Sequence, residues 1–106
     1  MNKFMRMLVF FDLPVKNKAQ RREAARFRNF LVKDGFYMVQ YSVYARVCLG
    51  YDGVYTHKGR VYENLPADGS VRLMVVTEKQ YEAMELLLGC PAREEEEDQT
   101  QLLKIY

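Results

Sequence analysis

The segment Met5–Phe11 (MRMLVFF) is rich in apolar and β-forming residues and is halted at once by Asp12-Leu13-Pro14. Proline has no backbone donor for a sheet ladder and restricts the residue before it, so a strand must finish there. This pairing of a buried strand with an abrupt polar stop constrains the chain more than any other feature. It also argues against reading MNKFMRMLVFFDLP as a secretory leader. The apolar core is short, it runs into Asp12 and Pro14, and no small-residue cleavage site follows. Without an export signal the expected compartment is the reducing cytoplasm, where Cys48 and Cys90 stay free thiols. They lie far apart with no histidine-rich company, so a zinc site is not expected. No run approaches the roughly 18 apolar residues of a membrane span.

After the stop, Asn17 and Gln20 have capping-box spacing, and Lys18–Lys33 carries Ala24, Phe27, Phe30 and Leu31 on one helical stripe. Asp34-Gly35 ends that helix, with glycine available for a left-handed cap. Tyr37–Leu49 alternates throughout and predicts one long strand. Tyr37, Val39, Tyr41, Val43, Ala45, Val47 and Leu49 point one way; Met38, Gln40, Ser42, Tyr44, Arg46 and Cys48 point the other. Gly50 and Gly53 bracket an expected turn, and a second helix is predicted from about Asp52 to Asn64, with Val54, Lys58, Val61 and Leu65 aligned. Ser70–Thr77 is a third strand. Thr77 and Gln80 repeat the capping-box spacing before a short helix at 78–83. Met84–Leu88 reads as a short strand or the end of that helix.

The order of elements fits a split βαβ plan in the α+β class: four antiparallel strands with two helices on one face. The other face is expected to carry Met38, Gln40, Tyr44, Met74 and Val76, too apolar to be left to water in a small domain. A second copy packed on that face is the simplest remedy, which predicts a homodimer. Residues 1–90 form the domain, 91–98 an acidic linker around Glu94–Asp98, and 99–106 a last strand. An apolar strand beyond a charged linker must find a sheet edge, on its own protomer or another chain.

Charge is divided along the chain. Residues 1–35 are net +6, residues 36–77 are +1 and residues 78–106 are −5. A basic first third with an acidic tail suits a protein that attracts phosphate on one surface and leaves another for a protein contact. Arg21, Arg22 and Arg28, with Lys16 and Lys18 beside the same turn, are the candidate backbone-contact residues, because guanidinium groups match phosphate oxygens without reading sequence. Their plain alternative is a solvated helix face.

Asp12 is the sharpest chemical candidate. A carboxylate where an apolar strand opens into a turn is firmly held yet reachable, and its oxygens suit Mg²⁺ or another hard cation. The plain alternative is an Asx-type cap before Pro14. One carboxylate makes a poor metal site unless symmetry brings a second Asp12 to the same cation. His57 and Ser42 lack the partners that nucleophilic catalysis needs, and no glycine-rich phosphate loop is present. Tyr41 and Tyr44 suit base stacking less well than a sheet core or an interface.

Phe10-Phe11-Asp12-Leu13-Pro14, Arg21-Arg22 with Phe27-Arg28-Asn29-Phe30-Leu31, Gly35-Phe36, Gln40-Tyr41-Ser42-Val43-Tyr44, Gly69-Ser70-Val71-Arg72 and Val75-Val76-Thr77-Glu78-Lys79-Gln80 occur in this order. In sequence and spacing they resemble the small dimeric CRISPR-associated protein of the spacer-acquisition pair. The last two blocks are similar to members found beside the large single-protein RNA-guided effector, the type II-A branch. The resemblance covers nearly the whole chain.

It implies a ferredoxin-like βαββαβ fold, a homodimer with facing sheets, and a short extra C-terminal strand able to pair with the partner's sheet. It implies assembly with the CRISPR integrase, whose dimers flank a central dimer of this protein, on double-stranded protospacer DNA. Other type II adaptation proteins are further expected partners. Members are also described as Mg²⁺-dependent endonucleases or endoribonucleases, and the family's metal aspartate falls on Asp12. Two functions therefore stand at this point: a metal-dependent phosphodiesterase, and a non-catalytic DNA-spanning adaptor whose transesterification chemistry belongs to the integrase. A third, an RNA-binding module of the same topology, lacks the basic-aromatic strand pattern it would need.

Overall fold

A computed structural model describes residues 4–92 and Glu95. Strand β1 (Phe4–Asp12) ends at the residue before Leu13-Pro14, one residue past its predicted end. Helix α1 (Lys18–Lys33) occupies the predicted span. At its start the Asn17 side chain accepts from the Gln20 amide at 2.8 Å, and the Gln20 side chain accepts from the Asn17 amide at 3.2 Å. Two of the four orphan donors of the first turn are thereby answered. At its end the Phe36 amide reaches back to the Leu31 carbonyl and the Gly35 amide to that of Val32. This closure needs the left-handed conformation that Gly35 adopts, with φ of 95°.

Tyr37–Leu49 is not one strand. It divides into β2 (Tyr37–Gln40) and β3 (Val43–Leu49), which pair antiparallel around Tyr41-Ser42. Ser42 makes the reversal by taking a left-handed φ of 66°, without the Gly, Asn or Pro that usually signals a turn. A one-residue register shift between Met38 and Gln40 keeps the alternation in phase away from the turn: Gln40 stands opposite Val43, but Met38 stands opposite Tyr44 and Tyr37 opposite Ala45. The irregularity offsets the phase change that a two-residue turn imposes, so the period-two pattern resumes beyond it.

Helix α2 (Gly50–Glu63) starts two residues earlier than predicted, so Gly50 and Gly53 lie within the helix and do not bracket a turn. Val54 and Val61 are buried as expected, whereas Leu65 lies beyond the helix and is 41% exposed. Strand β4 (Ser70–Thr77) matches its predicted span. Helix α3 (Glu78–Glu82) opens with the Thr77–Gln80 capping box. Met84–Leu88, expected as strand or helix end, is neither, and Met84, Leu86, Leu87 and Leu88 are exposed. The last strand at 99–106 and most of the linker lie outside the described residues. Among the described residues no helix is long and apolar enough to cross a membrane.

The four strands form one antiparallel sheet in the order β2-β3-β1-β4. With α1 and α2 on one face, this is the βαββαβ ferredoxin-like plan. The core between helices and sheet centres on Met7, Val9, Phe11, Phe27, Leu31, Tyr44 and Cys48. Phe11 meets Phe27 edge-on at 5.4 Å and stacks on Tyr44 at 5.6 Å.

That stack corrects the expected composition of the helix-free face. Val9 stands opposite Tyr44 and Leu8 opposite Ala45, so Tyr44, with Met38 opposite it, faces the helices. Met74 and Val76 do lie on the helix-free face, with Leu8, Phe10, Tyr37, Val39, Val43 and Ala45. Tyr81 of α3 covers part of it, while Met74 stays 48% exposed.

Candidate nucleic-acid site

Asp12 is the last residue of β1, and its side chain is exposed. Alternation along β1 puts it on the helix-free face with Leu8 and Phe10. Two neighbouring segments fix the strand end. On one side Ser70 of β4 stands directly opposite Asp12. Gly69, just before it, packs so closely that a Cβ there would meet the Asp12 carbonyl oxygen at 2.6 Å. On the other side the Phe11 amide donates to the Ser42 carbonyl of the β2–β3 turn at 3.1 Å. The carboxylate is thus held by backbone on both flanks while its oxygens make no hydrogen bond or ion pair among the described residues.

A hard cation fits this donor. Mg²⁺ keeps several of its waters and is commonly bound through one or two carboxylates, so it needs no enclosing cage. Among the described residues no cluster of three or more His, Cys, Asp or Glu side chains surrounds Asp12 or any other point. Any cation held at Asp12 would rest on fewer than three such side chains of the described residues.

The basic candidates sit on the other layer. Leu13–Asn17 carries the chain from the strand end over to α1, which packs against the opposite face of the sheet. Lys16, Lys18 and Arg22 are exposed around the first turn of that helix. Arg21 is exposed too, but its Nη1 donates to the Val15 and Lys16 carbonyls at 3.2 and 3.4 Å, which steadies the loop after Asp12. Arg28 is half-buried, seven residues from Arg21 and hence on the same shoulder of the helix. Lys16, Lys18, Arg21 and Arg22 thus cluster at the start of α1 beside the loop after Asp12, with Arg28 farther along the helix, and none of the five is on the Asp12 face.

The sheet alignment brings a different cation to that face. Arg72 of β4 stands opposite Phe10 and is exposed, diagonal to Asp12. Sequence reasoning missed it because the β1–β4 register, which no local pattern encodes, creates the neighbourhood. Its place two residues after Ser70 was the available signal.

Two further polar clusters are structural. On the helix-free face Arg6, only 6% exposed, donates from Nε and Nη2 to both Glu78 carboxylate oxygens at 2.8 and 2.7 Å. It also bonds the Tyr37 hydroxyl and lies 4.4 Å from the centre of the Tyr81 ring. Desolvation opposes its charge, but Glu78 outweighs it and the guanidinium is held protonated beyond its usual range. Burial pushes the Tyr37 and Tyr81 phenols up. At the far end of α1, the Asp34 carboxylate accepts from Arg60 at 2.9 Å and pairs with His57 Nδ1 at 2.8 Å. Arg46 bonds the Asp34 carbonyl. His57 and Asp34 thus join α2 to the end of α1. Cys48 is buried and Cys90 exposed, both free thiols, and burial pushes the Cys48 thiol up.

Comparison with known proteins adds a family to this geometry. A family model described as CRISPR associated protein Cas2 matches residues 5–84. A protein of Acidovorax ebreus (strain TPSY) named CRISPR-associated endoribonuclease Cas2 is 54% identical over 91 residues, which is 86% of this chain and 89% of that protein. One of the same name from Ligilactobacillus salivarius (strain UCC118) is 42% identical over 90 residues, 85% of this chain and 89% of that protein. A solved structure titled "Crystal structure of cas2" superposes with a TM-score of 0.57 at 21% identity, covering 85% of this chain and 92% of the other. At that identity the likeness concerns the fold.

Proposed function

Since the chain belongs to the CRISPR-associated Cas2 family, we propose that it works in CRISPR adaptation as a homodimer on the polynucleotide backbone, with Asp12 as its metal-holding carboxylate. The observation that carries this reading is the Asp12 carboxylate: fixed by backbone on both sides, exposed, and unpaired among the described residues. Mg²⁺ bound there supplies polarisation of a phosphodiester oxygen. The protein's own part is to present one rigid carboxylate per protomer. The partly apolar helix-free face supports packing against a second copy, which would bring two such carboxylates into one assembly. Lys16, Lys18, Arg21, Arg22 and Arg28 neutralise phosphates of duplex DNA without reading its sequence.

The relatives named endoribonuclease support phosphodiester hydrolysis as the chemistry. A second reading is favoured by the division of charge, a basic first third and an acidic tail, which suits a protein that grips phosphate on one surface and a protein on another. In it the homodimer bridges integrase subunits on double-stranded DNA and cleaves nothing. Sedimentation of the pure protein with and without the integrase and a short duplex tests the common ground. A dimer that joins both in one complex is expected; a monomer that binds neither would exclude both readings.

A further inference from the structure

We propose that Arg72 is the phosphate-binding residue of the Asp12 site, which rests on the reading of Asp12 given above. Cross-strand register makes the case. Asp12 pairs with Ser70 and Phe10 with Arg72, so all four side chains share the helix-free face, and Asp12 and Arg72 are diagonal neighbours across β1 and β4. Such diagonals lie about 7–8 Å apart, within reach of a long side chain.

Opposite charges at that spacing commonly close an ion pair, yet among the described residues no ion pair or hydrogen bond holds Arg72 or Asp12. Both are exposed at the open end of the face. The other arginine on this face, Arg6, is consumed by Glu78 and by two tyrosines. Arg72 is left with a carboxylate beside it and a half-buried Phe10 beneath it.

A guanidinium fork matches two oxygens of one phosphate, which a carboxylate cannot bind without a cation. The two side chains divide the work on a polynucleotide phosphodiester: Asp12 holds the cation and Arg72 grips the phosphate. Ser70, opposite Asp12 and two residues before Arg72, adds a hydroxyl to the same face.

The test uses the full-length protein and a labelled short duplex DNA. Binding is measured against salt in EDTA, and Mg²⁺-dependent cleavage is measured in parallel. Arg72→Ala is expected to weaken binding about tenfold or more. It should also lower the slope of log K against log salt by about one unit. Arg72→Lys is expected to regain the slope but only part of the affinity, and Arg72→Gln serves if the alanine variant folds poorly. Unchanged affinity and slope in both Arg72→Ala and Arg72→Gln would overturn the proposal. Asp12→Ala separates the two claims. If it cleaves like wild type while Arg72→Ala binds weakly, the metal reading of Asp12 fails and the Arg72 contact stands. If Asp12→Ala is inactive while Arg72→Ala binds and cleaves normally, the Arg72 inference alone fails.

Discussion

Gly69 and Asp12 meet backbone to backbone: a Cβ on Gly69 would lie 2.6 Å from the Asp12 carbonyl oxygen. Gly69 also has φ of 100°, which L side chains rarely adopt. Gly69→Ala therefore faces backbone strain and a contact with immobile atoms. The expected loss is about 2 kcal/mol of stability, read as a lower urea midpoint with unchanged slope. An unchanged midpoint would mean that β4 begins farther from Asp12 than described.

Arg6 and Glu78 form a largely buried ion pair, with side chains 7% and 29% exposed. Removing one partner strands a charge, so Glu78→Ala should cost roughly 3 kcal/mol. The double change Arg6→Met with Glu78→Gln should recover most of that, because no buried charge is left over. A double variant no more stable than the single would show that the guanidinium itself, through Tyr37 and Tyr81, carries the stability.

The buried thiol of Cys48 and the phenols of Tyr37 and Tyr81 are all pushed above their ordinary values by burial. These are acids that keep their protons longer in the folded chain than in the unfolded one. Their contribution is complete below the unfolded values and is lost as pH rises through the folded ones. Stability is expected to fall above about pH 9, with Cys48 slow to react with a thiol reagent until the chain unfolds and Cys90 reacting at once. Urea midpoints across alkaline pH check the sign; a midpoint that rises would contradict it.

The parts of the fold readable from sequence were those fixed by local chemistry. Asn17 with Gln20 and Thr77 with Gln80 announce helix starts through hydrogen bonds that span three residues. Asp34-Gly35 announces a stop in the same way. The β2–β3 turn was hidden because Tyr41-Ser42 holds no Gly, Asn or Pro and the register shift between Met38 and Gln40 restores the alternation beyond it. The membership of the two sheet faces was misjudged for a related reason. Alternation divides a strand into two sets, but only the pairing of Val9 with Tyr44 decides which set meets the helices. At the site, Asp12 was legible from one strand and its stop. Arg72 was not, since it becomes a neighbour only through the pairing of residues some sixty apart in the chain.

Reversing the charge of Arg21 and Arg22 should weaken duplex binding about equally for unrelated sequences, since backbone contacts carry no base code. The salt slope should fall by about one unit per lost phosphate contact. Arg21 steadies the Val15–Lys16 loop as well, so Arg21 is expected to affect stability more than Arg22. An unchanged salt slope would show that neither arginine contacts the phosphates.

If Asp12 holds the divalent cation for backbone chemistry, the Mg²⁺-dependent cleavage rate of Asp12→Ala, compared with wild type, reports it directly. A labelled RNA strand and a labelled duplex DNA serve as paired substrates. The carboxylate is exposed and bonded to nothing among the described residues, so melting temperature and dimerisation should not change. Cleavage should fall by at least about a hundredfold, the scale on which losing metal polarisation of a phosphodiester is felt. Wild-type cleavage by a pure, dimeric Asp12→Ala protein would mean that Asp12 holds no catalytic cation.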